Sequence, residues 1–451
     1  MSRAASIAPQ RGASTVISMN TSDDDRVSLR LRRPTRPAGM ASGPTTIPVR
    51  SAGMSWLRFV GTRIAASCVL LFVLLSAVFA MSVALIPGDF ATLYRLSMRA
   101  EDVELIRTEM GLDQPWWIQL GRWLSGVVRG DLGTSFTGVD VTSAVFGVLP
   151  FTLLLLVFAV GAAFTVGVWL GRVAGWQPTK TRDGALLGLS AVSTLFPPWL
   201  AFLLAYGTAE LMGFGVFTRL RGFDQQLWRS DETTPSTLAW MLLGVFTMAA
   251  VAWLAASLAV RRVTRRPGIV RLVRSVAAAA AGTAGIWLVF GLVGRERVAD
   301  LVGLMVLPSV AVMLINLADT TMLVSTVTGS FRTAPFVFAA RAKGLKERTI
   351  SLRHVGRMIL LPVVSRYIAS FPLVLGALVI VESAFRSNGA DYNVGFPGLS
   401  SGVFGALGSN DIRRALGALL VIGVITVAAR LILDVAHAAL DPRYRDGTRQ
   451  L

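Results

Sequence analysis

The chain has 451 residues, 53% of them hydrophobic, and a mean hydropathy of +0.61, which is too apolar for an ordinary soluble domain. Its formal net charge is +18. The arginines cluster at the ends of hydrophobic stretches and form no soluble basic face, which argues against nucleic-acid binding. Cys68 is the only cysteine, so no internal disulfide or thiolate metal site can form. His354 and His437 are far apart in sequence, which argues against a histidine metal site.

Residues 1–55 are rich in Ser, Thr, Pro and Arg and contain little that can be buried, so we expect a disordered tail. The chain does not begin with the pattern of a signal peptide. Met54 directly precedes the first apolar stretch, and a translation start at Met54 is a hypothesis. Mass spectrometry that found native peptides upstream of Met54 would refute it.

Eight apolar stretches follow, and each is predicted to cross a membrane as a helix. They are 64–86, 149–171, 185–209, 237–260, 275–294, 301–318, 367–381 and 415–429. The first five contain no charged residue, and the last two are extended by apolar flanks past Arg366 and Arg430. The prediction is an all-α integral membrane protein.

The arginines and lysines between these stretches favour a cytoplasmic N-terminus. The inner loops are then 172–184, 261–274 and 326–358, with the tail from 438. Loop 261–274 has six arginines and no acid, whereas the outer segment 87–148 has five arginines against eight acids. Both termini of a multi-pass protein in the cytoplasmic membrane are therefore predicted to be cytoplasmic. Arg413 and Arg414, at the outer end of the last stretch, are the main exception.

The outer segment 87–148 is too long for a turn. It contains an amphipathic stretch at 100–110, followed by Trp116, Trp117 and Trp123 with leucine and valine spacing. This pattern predicts helices that lie along the outer membrane interface.

Two patterns inside the apolar stretches predict local geometry. Gly167, Gly171 and Gly175 recur every four residues and favour close approach of a second helix, although membrane helices also tolerate glycine without such a contact. Pro197 and Pro198 lie in the middle of a stretch and predict a kink. The kinked segment is either a pore-lining element or a packing kink.

Residues 339–345 read AARAKGL and lie between two predicted membrane helices. Small residues, two cations and a glycine predict a compact helix and then a break, because glycine adopts the backbone angles that end a helix. The residues concerned are Ala339, Ala340, Arg341, Ala342, Lys343, Gly344 and Leu345. A short, structured, basic segment at a membrane face favours a docking element for a partner protein. On charge alone, the alternative is an ordinary inner loop.

Further motifs accompany this segment along the chain. They are IPGD (86–89), GLDQPWW (111–117), RWLSGVVRGDLGTS (122–135), RHVGRMILLPVV (353–364) and DPRYR (441–445). With these motifs and AARAKGL in the same order, the chain from about residue 56 to residue 445 resembles the B-type permease subunit of dipeptide and oligopeptide ABC importers. Each motif alone is weak, and the ordered set is specific.

The resemblance implies a type I ABC importer permease fold (MetI-like) in which residues 339–345 form a coupling helix on an ATPase. It also implies a second homologous permease subunit, two ATPase subunits and an extracytoplasmic substrate-binding protein. The permease itself is then non-catalytic, and ATP and magnesium bind to the partner subunits, so no cofactor is expected in this chain. Peptides or related small solutes are the implied substrates.

The chain departs from the family pattern at several points. The family has six transmembrane helices, and the segment 211–298 adds two. In the coupling region Pro335, Phe336 and Ala339 replace the family's acid–Tyr pair and Thr, so this chain lacks the polar groups of those docking contacts. Arg430 stands where the family has Asn, and an insertion at 387–395 precedes FPGL at 396–399.

The predicted organisation follows from these observations. It comprises a tail (1–55), a first permease part (56–210) with the outer segment 87–148, an insertion (211–298), a permease core (299–445) with coupling loop 326–358, and a short tail (446–451).

Five charged residues are further candidates. Arg430 and Asp434 are four residues apart on one helical face and favour an ion pair over a substrate site. Asp319 and Arg366 flank the coupling loop, and a pair between them is a hypothesis. Glu382 either faces the outer pore, where it would meet a peptide amine, or lies at an exposed helix end.

The sequence contains no GxxxxGK[ST] phosphate loop, so this chain does not supply the ATPase. It also contains no HExxH motif, which argues against a zinc-dependent membrane protease. Two alternatives stay open: an ion-coupled secondary transporter, and a transport-inactive family member that acts as a scaffold or sensor.

Overall fold

The structure is a computed structural model, and it describes most of the chain from residue 56 onward. The described residues are 56–85, 99–109, 111–135, 138–177, 179–212, 228, 234–263, 267–385, 396–408 and 411–440. The predictions for the tails, for a start at Met54, for the motifs IPGD and DPRYR and for the insertion 387–395 lie outside these residues.

The described residues are almost entirely helical, and their only extended pairing is an isolated antiparallel bridge between Thr134 and Asp140. The first helices are α1 (Trp56–Leu85), α2 (Ala100–Glu109), α3 (Trp116–Val128), α4 (Val141–Leu155), α5 (Gly161–Trp176), α6 (Thr179–Ser193) and α7 (Pro197–Met212). A π-helical turn, Leu156–Val160, joins α4 to α5.

The second half of the chain continues in the same way. Its helices are α8 (Pro235–Val263), α9 (Pro267–Val293), α10 (Arg295–Arg332), α11 (Pro335–Ala342), α12 (Glu347–Thr349), α13 (Gly356–Met358), α14 (Leu360–Ala384), α15 (Ala406–Gly408) and α16 (Ile412–Leu440). Two more π-helical turns, Ile350–Val355 and Ser401–Gly405, precede α13 and α15.

Within the described residues, six helical segments are long and apolar enough to cross a membrane. They are Val60–Met81, Val141–Trp176, Pro235–Val260, Gly268–Val293, Arg295–Arg332 and Ile412–Ile432. A shorter apolar segment, Ser370–Ala384, lies in α14, and the predicted stretch 185–209 is divided between α6 and α7. The all-α membrane fold is confirmed, whereas the predicted number of eight membrane helices is not established.

Helices α5 and α10 pack against each other with almost no space between their backbones. Gly167, Gly171 and Gly175 are buried on the contact face of α5. A Cβ added to Gly171 would lie 2.6 Å from Val324 Cβ, and one added to Gly175 would lie 2.7 Å from Thr328 Cβ. Because no side chain fits at these positions, the predicted close helix approach is confirmed.

The π-helical turn between α4 and α5 displaces one residue from the regular helical hydrogen-bond pattern. The hydroxyl of Tyr367, on α14, donates to the carbonyl oxygen of Val160 at 3.2 Å. This bond satisfies a backbone acceptor inside the apolar helical segment Val141–Trp176, where an unpaired polar group within the membrane is costly.

Helices α8 and α9 form a hairpin that packs on the side of α4 and α10. Leu238 and Leu243 of α8 and Val289 and Val293 of α9 belong to the largest buried cluster, together with Leu301 of α10. The two helices predicted as additions to the family pattern, α8 and α9, therefore share the core of the protein where they pack near the start of α10.

The segment before α4 folds onto the start of α16, at the end of the bundle opposite α11. Trp123 donates through Nε1 to the carbonyl oxygen of Leu132 at 3.3 Å, and the Ser135 hydroxyl donates to the Asp411 carboxylate. Asp411 also accepts from the backbone N–H of Arg414 at 3.2 Å, which caps α16. The helices predicted in the outer segment are present as α2 and α3.

The α5–α10 contact predicts opposite effects for two glycine substitutions on one helix. Gly171→Ala is expected to destabilise the protein by about 1–3 kcal/mol through overpacking. Gly161→Ala, at an exposed position with no atom near the added Cβ, is expected to be neutral or slightly stabilising. Thermal unfolding of the detergent-purified variants measures both, and equal effects at the two positions would contradict the packing argument.

Candidate functional site

The segment AARAKGL forms the second half of helix α11 and its C-terminal cap. Pro335 occupies the first turn of α11, where its missing N–H and fixed φ are compatible with a helix start. At the other end, Leu345 N–H donates to the carbonyl oxygen of Ala340 at 3.2 Å and Gly344 N–H donates to that of Arg341 at 2.9 Å. With Gly344 at φ 73°, this is a Schellman cap. The predicted helix and break are both present.

Helix α11 has one face against the protein and one face open. Val337 is fully buried and Ala340 nearly so, in a cluster with Val324 of α10 and Ile350 of the following π-helical turn. The outward face carries small and apolar side chains and one cation. It consists of Phe338, Ala339, Ala342, Lys343 and Leu345, all of which are exposed. Such a face allows another protein to approach closely.

A carboxylate joins α11 to the end of α5. Glu347 accepts from Arg341 Nε at 2.6 Å and from Arg341 Nη2 at 3.3 Å, and Trp176 Nε1 donates to it at 3.1 Å. The hydrogen bond from Arg341 holds the pKa of Glu347 below its ordinary value of 4.5, so this pairing persists at neutral pH. Arg332, the last residue of α10, donates to the carbonyl oxygen of Gln177 at 2.6 Å. The loop is thereby attached to both α5 and α10.

Sequence reasoning did not assign Glu347 a role, although it is the only acid in the predicted loop 326–358. The side chains that meet it come from separate parts of the chain. Its position as a single acid among many cations was a signal that could have identified Glu347. No feature of the sequence indicated that Trp176 would donate a hydrogen bond to it.

The predicted kink at Pro197 and Pro198 is a complete break between two helices. Helix α6 ends at Ser193 and α7 begins at Pro197, which occupies a first-turn position again. Phe196 and Trp199, on either side of the prolines, are largely exposed. Helix α7, which follows the break, packs against α10 and α14, the helices before and after α11.

Glu382 lies neither in an open pore nor at an exposed helix end. Its side chain is fully buried. The Oε2 atom accepts from the backbone N–H of Ser400 at 3.1 Å, and a Cβ on Gly398 would collide with the carboxylate. The backbone N–H of Leu399 donates to Thr152 Oγ1 at 2.9 Å. Glu382 of α14 and Thr152 of α4 therefore hold the segment FPGL between these two helices, and the carboxylate is not exposed to solvent.

The two predicted ion pairs are also corrected. Asp434 lies 3.6 Å from Arg63 Nε of α1, whereas no salt bridge to the exposed Arg430 is present in the described part of the chain. Asp319 and Arg366 are both exposed, and the described residues contain no salt bridge between them. Helical spacing brought Arg430 near Asp434 in sequence, but the packing of α1 on α16 supplies Asp434 with a different cation.

The positive φ of Gly344 predicts which side chains this position accepts. Gly344→Val is expected to cost about 1–2 kcal/mol locally, because a β-branched residue is strained in the left-handed region. Gly344→Asn, the matched control, is expected to be nearly neutral because Asn tolerates that region. Hydrogen exchange of the backbone amides at 339–350 measures the difference. Equal protection in the two variants would contradict the cap.

Burial of Glu382 predicts a stability defect. Glu382→Ala leaves the buried N–H of Ser400 without its acceptor and is expected to cost about 1–3 kcal/mol. Glu382→Gln keeps an acceptor oxygen and should cost less. Thermal unfolding of the purified protein ranks the variants, and an unchanged melting temperature for Glu382→Ala would show that the carboxylate does not hold this segment.

Two parts of the chain match known protein families. Residues 56–153 match the N-terminal region of binding-protein-dependent transport system membrane components, and residues 267–446 match the family described as "Binding-protein-dependent transport system inner membrane component". The second match begins at the start of α9, inside the predicted insertion 211–298, so the bounds of that insertion stay a prediction.

Individual relatives cover most of the chain. A protein of Brucella abortus (strain 2308), provisionally named a peptide transport system permease protein, is 26% identical over 372 residues, which are 80% of this chain and 90% of that protein. The dipeptide transport system permease protein DppB of Alkalihalophilus pseudofirmus is 20% identical over 366 residues, covering 80% and 91%. The oligopeptide transport system permease protein AppB of Bacillus subtilis (strain 168) is 22% identical over 361 residues, covering 79% and 90%.

The two family matches together span more than half of the chain, and they contain α1, the helices from α9 to α16 and the whole of α11 with its cap. The all-helical membrane fold agrees with them. The chain belongs to the family of inner membrane components of binding-protein-dependent transport systems.

Proposed function

We propose that the chain is the membrane-spanning permease subunit of an ATP-driven importer of peptides, and that α11 transmits movement from an ATPase partner. The observation that carries the proposal is the outward face of α11, whose small and apolar side chains and one lysine are exposed while its other face is buried. Membership of a transport family and relatives named for peptide, dipeptide and oligopeptide transport support the substrate class.

The contacts of α11 suggest how force passes into the membrane. Val337 and Ala340 pack on α10, and the Arg341–Glu347–Trp176 contacts reach α5. Because α5 and α10 touch without intervening side chains, a displacement of α11 moves them as one unit. Small shifts of packed helices about an interface are a common form of transport and switching movement.

The solute path is proposed to run beside the break at Pro197. Helix α7 lies against α10 and α14, and these helices expose Asp319 and Arg366 on the isolated subunit. Charged side chains within membrane helices face water or protein and avoid lipid. A second homologous permease subunit and the water-filled path between the two subunits are suitable neighbours for these charges.

The remaining features of the assembly belong to the same proposal. Two ATPase subunits dock at the α11 side and bind ATP and magnesium, and a binding protein delivers solute to the opposite side. The α11 side, with its arginines and lysines, is the cytoplasmic one. Both termini are then cytoplasmic, the protein resides in the cytoplasmic membrane, and the permease performs no chemistry itself.

Reconstituted uptake tests the proposal. The chain, co-purified with its co-expressed partner subunits, is placed in liposomes, and entry of labelled di- and oligopeptides is followed with and without ATP. Ala339→Trp is expected to abolish ATP-dependent uptake by blocking close approach at α11, and Ala339→Ser, which keeps the small volume, is expected to retain it.

Each other outcome counts against a named part of the proposal. Uptake that needs only an ion gradient would indicate a secondary transporter. Binding of partners without any uptake, in an intact complex, would indicate a scaffold or sensor. Full uptake by Ala339→Trp would show that transport does not depend on close approach of a partner at the outward face of α11.

A further inference from the structure

A cavity of about 540 Å³ lies between the α8–α9 hairpin and the rest of the protein. Its walls come from α8, α9, the first half of α10 and the π-helical turn with the start of α5. Ala159, Val245 and Met305 are buried along its deep wall. The volume is typical of a ligand site rather than of a packing defect.

The chemistry of the lining excludes water as the natural occupant. Ser309 is the only polar side chain among the described residues that line the cavity. A buried water needs about two to four polar partners, which this cavity does not offer. A cavity left empty loses dispersion contacts along its whole lining, so an apolar occupant is favoured.

The cavity opens sideways and lies at membrane depth. Ile286 and Val302, at its edge, are 42% and 48% exposed, so the opening faces the surroundings of the helices. Its lining on α8 and α9 falls inside two apolar membrane segments, Pro235–Val260 and Gly268–Val293. What surrounds the protein at this depth is the acyl chains of lipids.

The dimensions and the rim fit one class of molecule. From Val298 to Met313 the lining on α10 extends over about 22 Å, which exceeds the roughly 15 Å depth of one leaflet's hydrocarbon, so the cavity is long enough for a whole acyl chain. At the end nearer the membrane surface α10 begins with Arg295, Glu296 and Arg297. Arg295 is exposed, and the Arg297 guanidinium lies 5.7 Å from the ring centre of Trp228. Asp300, one turn further on, accepts from Trp228 Nε1 at 2.9 Å, so two cations and two acids lie at the rim, and the exposed Arg295 is the cation that a phosphate headgroup can meet.

We propose that this cavity binds one acyl chain of a phospholipid from the leaflet opposite the α11 side, with the lipid phosphate near the start of α10. The bound chain fills the space between the hairpin and the core and so completes the packing that protein side chains leave open. This site is separate from α11 and from the proposed solute path, and it goes beyond the transport function.

The test uses the full complex in liposomes that contain phosphatidylglycerol with a photoreactive diazirine near the end of one acyl chain. After irradiation, labelled peptides are mapped by mass spectrometry. Labelling is expected on cavity residues such as Phe290, Met305 and Met313. Ala249→Trp places an indole inside the cavity, and loss of this labelling is expected.

Ala255→Trp is the matched control, because Ala255 lies on the same helix, is exposed and does not line the cavity. It should keep the cavity labels. Unchanged cavity labelling in Ala249→Trp, or labels spread evenly over exposed surfaces of α8 and α9, would overturn the proposal. Cross-links from the cavity to another protein helix in place of lipid would also overturn it.

If Ala249→Trp fails to assemble, the label map of the unaltered complex decides. Concentration of label on the buried Met305 relative to the exposed Leu254 and Leu258 supports the site, and the reverse distribution refutes it. The label map does not require uptake activity. A negative labelling result would therefore refute the lipid site without bearing on the proposed transport function.

Discussion

The contact between α5 and α10 determines how the rest of this protein is arranged. In a bilayer no hydrophobic force drives helices together, so their association depends on close packing and dispersion. Glycines on α5 allow the backbone of α10 to approach within the reach of ordinary carbon contacts. Helix α10 is 38 residues long and leads directly to α11, so this packed pair sets the position of α11.

Two carboxylates near the ends of the bundle join distant parts of the chain in different ways. Glu347 is exposed, so water screens its pairing with Arg341, and its main effect is to orient the loop relative to α5. Glu382 is fully buried and bonded to backbone at Ser400, so removal of the carboxylate leaves polar groups unsatisfied. The exposed pairing of Glu347 is compatible with a loop that moves, whereas the buried bonds of Glu382 hold residues 396–400 in a fixed position.

Protein side chains fill only part of the space between the α8–α9 hairpin and the core. Side chains of the hairpin join the largest buried cluster, and members of that cluster, including Val245 and Val298, also line the cavity between the hairpin, α5 and α10. Small residues on α9, including Gly285 against Val245, bring the two helices of the hairpin close to each other. The hairpin is therefore a well-packed unit whose contact with the core is only partly closed by protein.

Local sequence chemistry by itself determined the membrane character, the bounds of α11 and the close face of α5. Continuous apolar composition, a proline at a helix start, a glycine at a cap and glycines at four-residue spacing act over a few residues, so sequence alone reveals them. The tertiary structure decided the partner of Asp434, the burial of Glu382, the complete break before Pro197 and the role of Glu347. These depend on which distant helices meet, and contacts such as Arg63 with Asp434 or Trp176 with Glu347 form only when packing of the whole bundle brings separated segments within hydrogen-bond range.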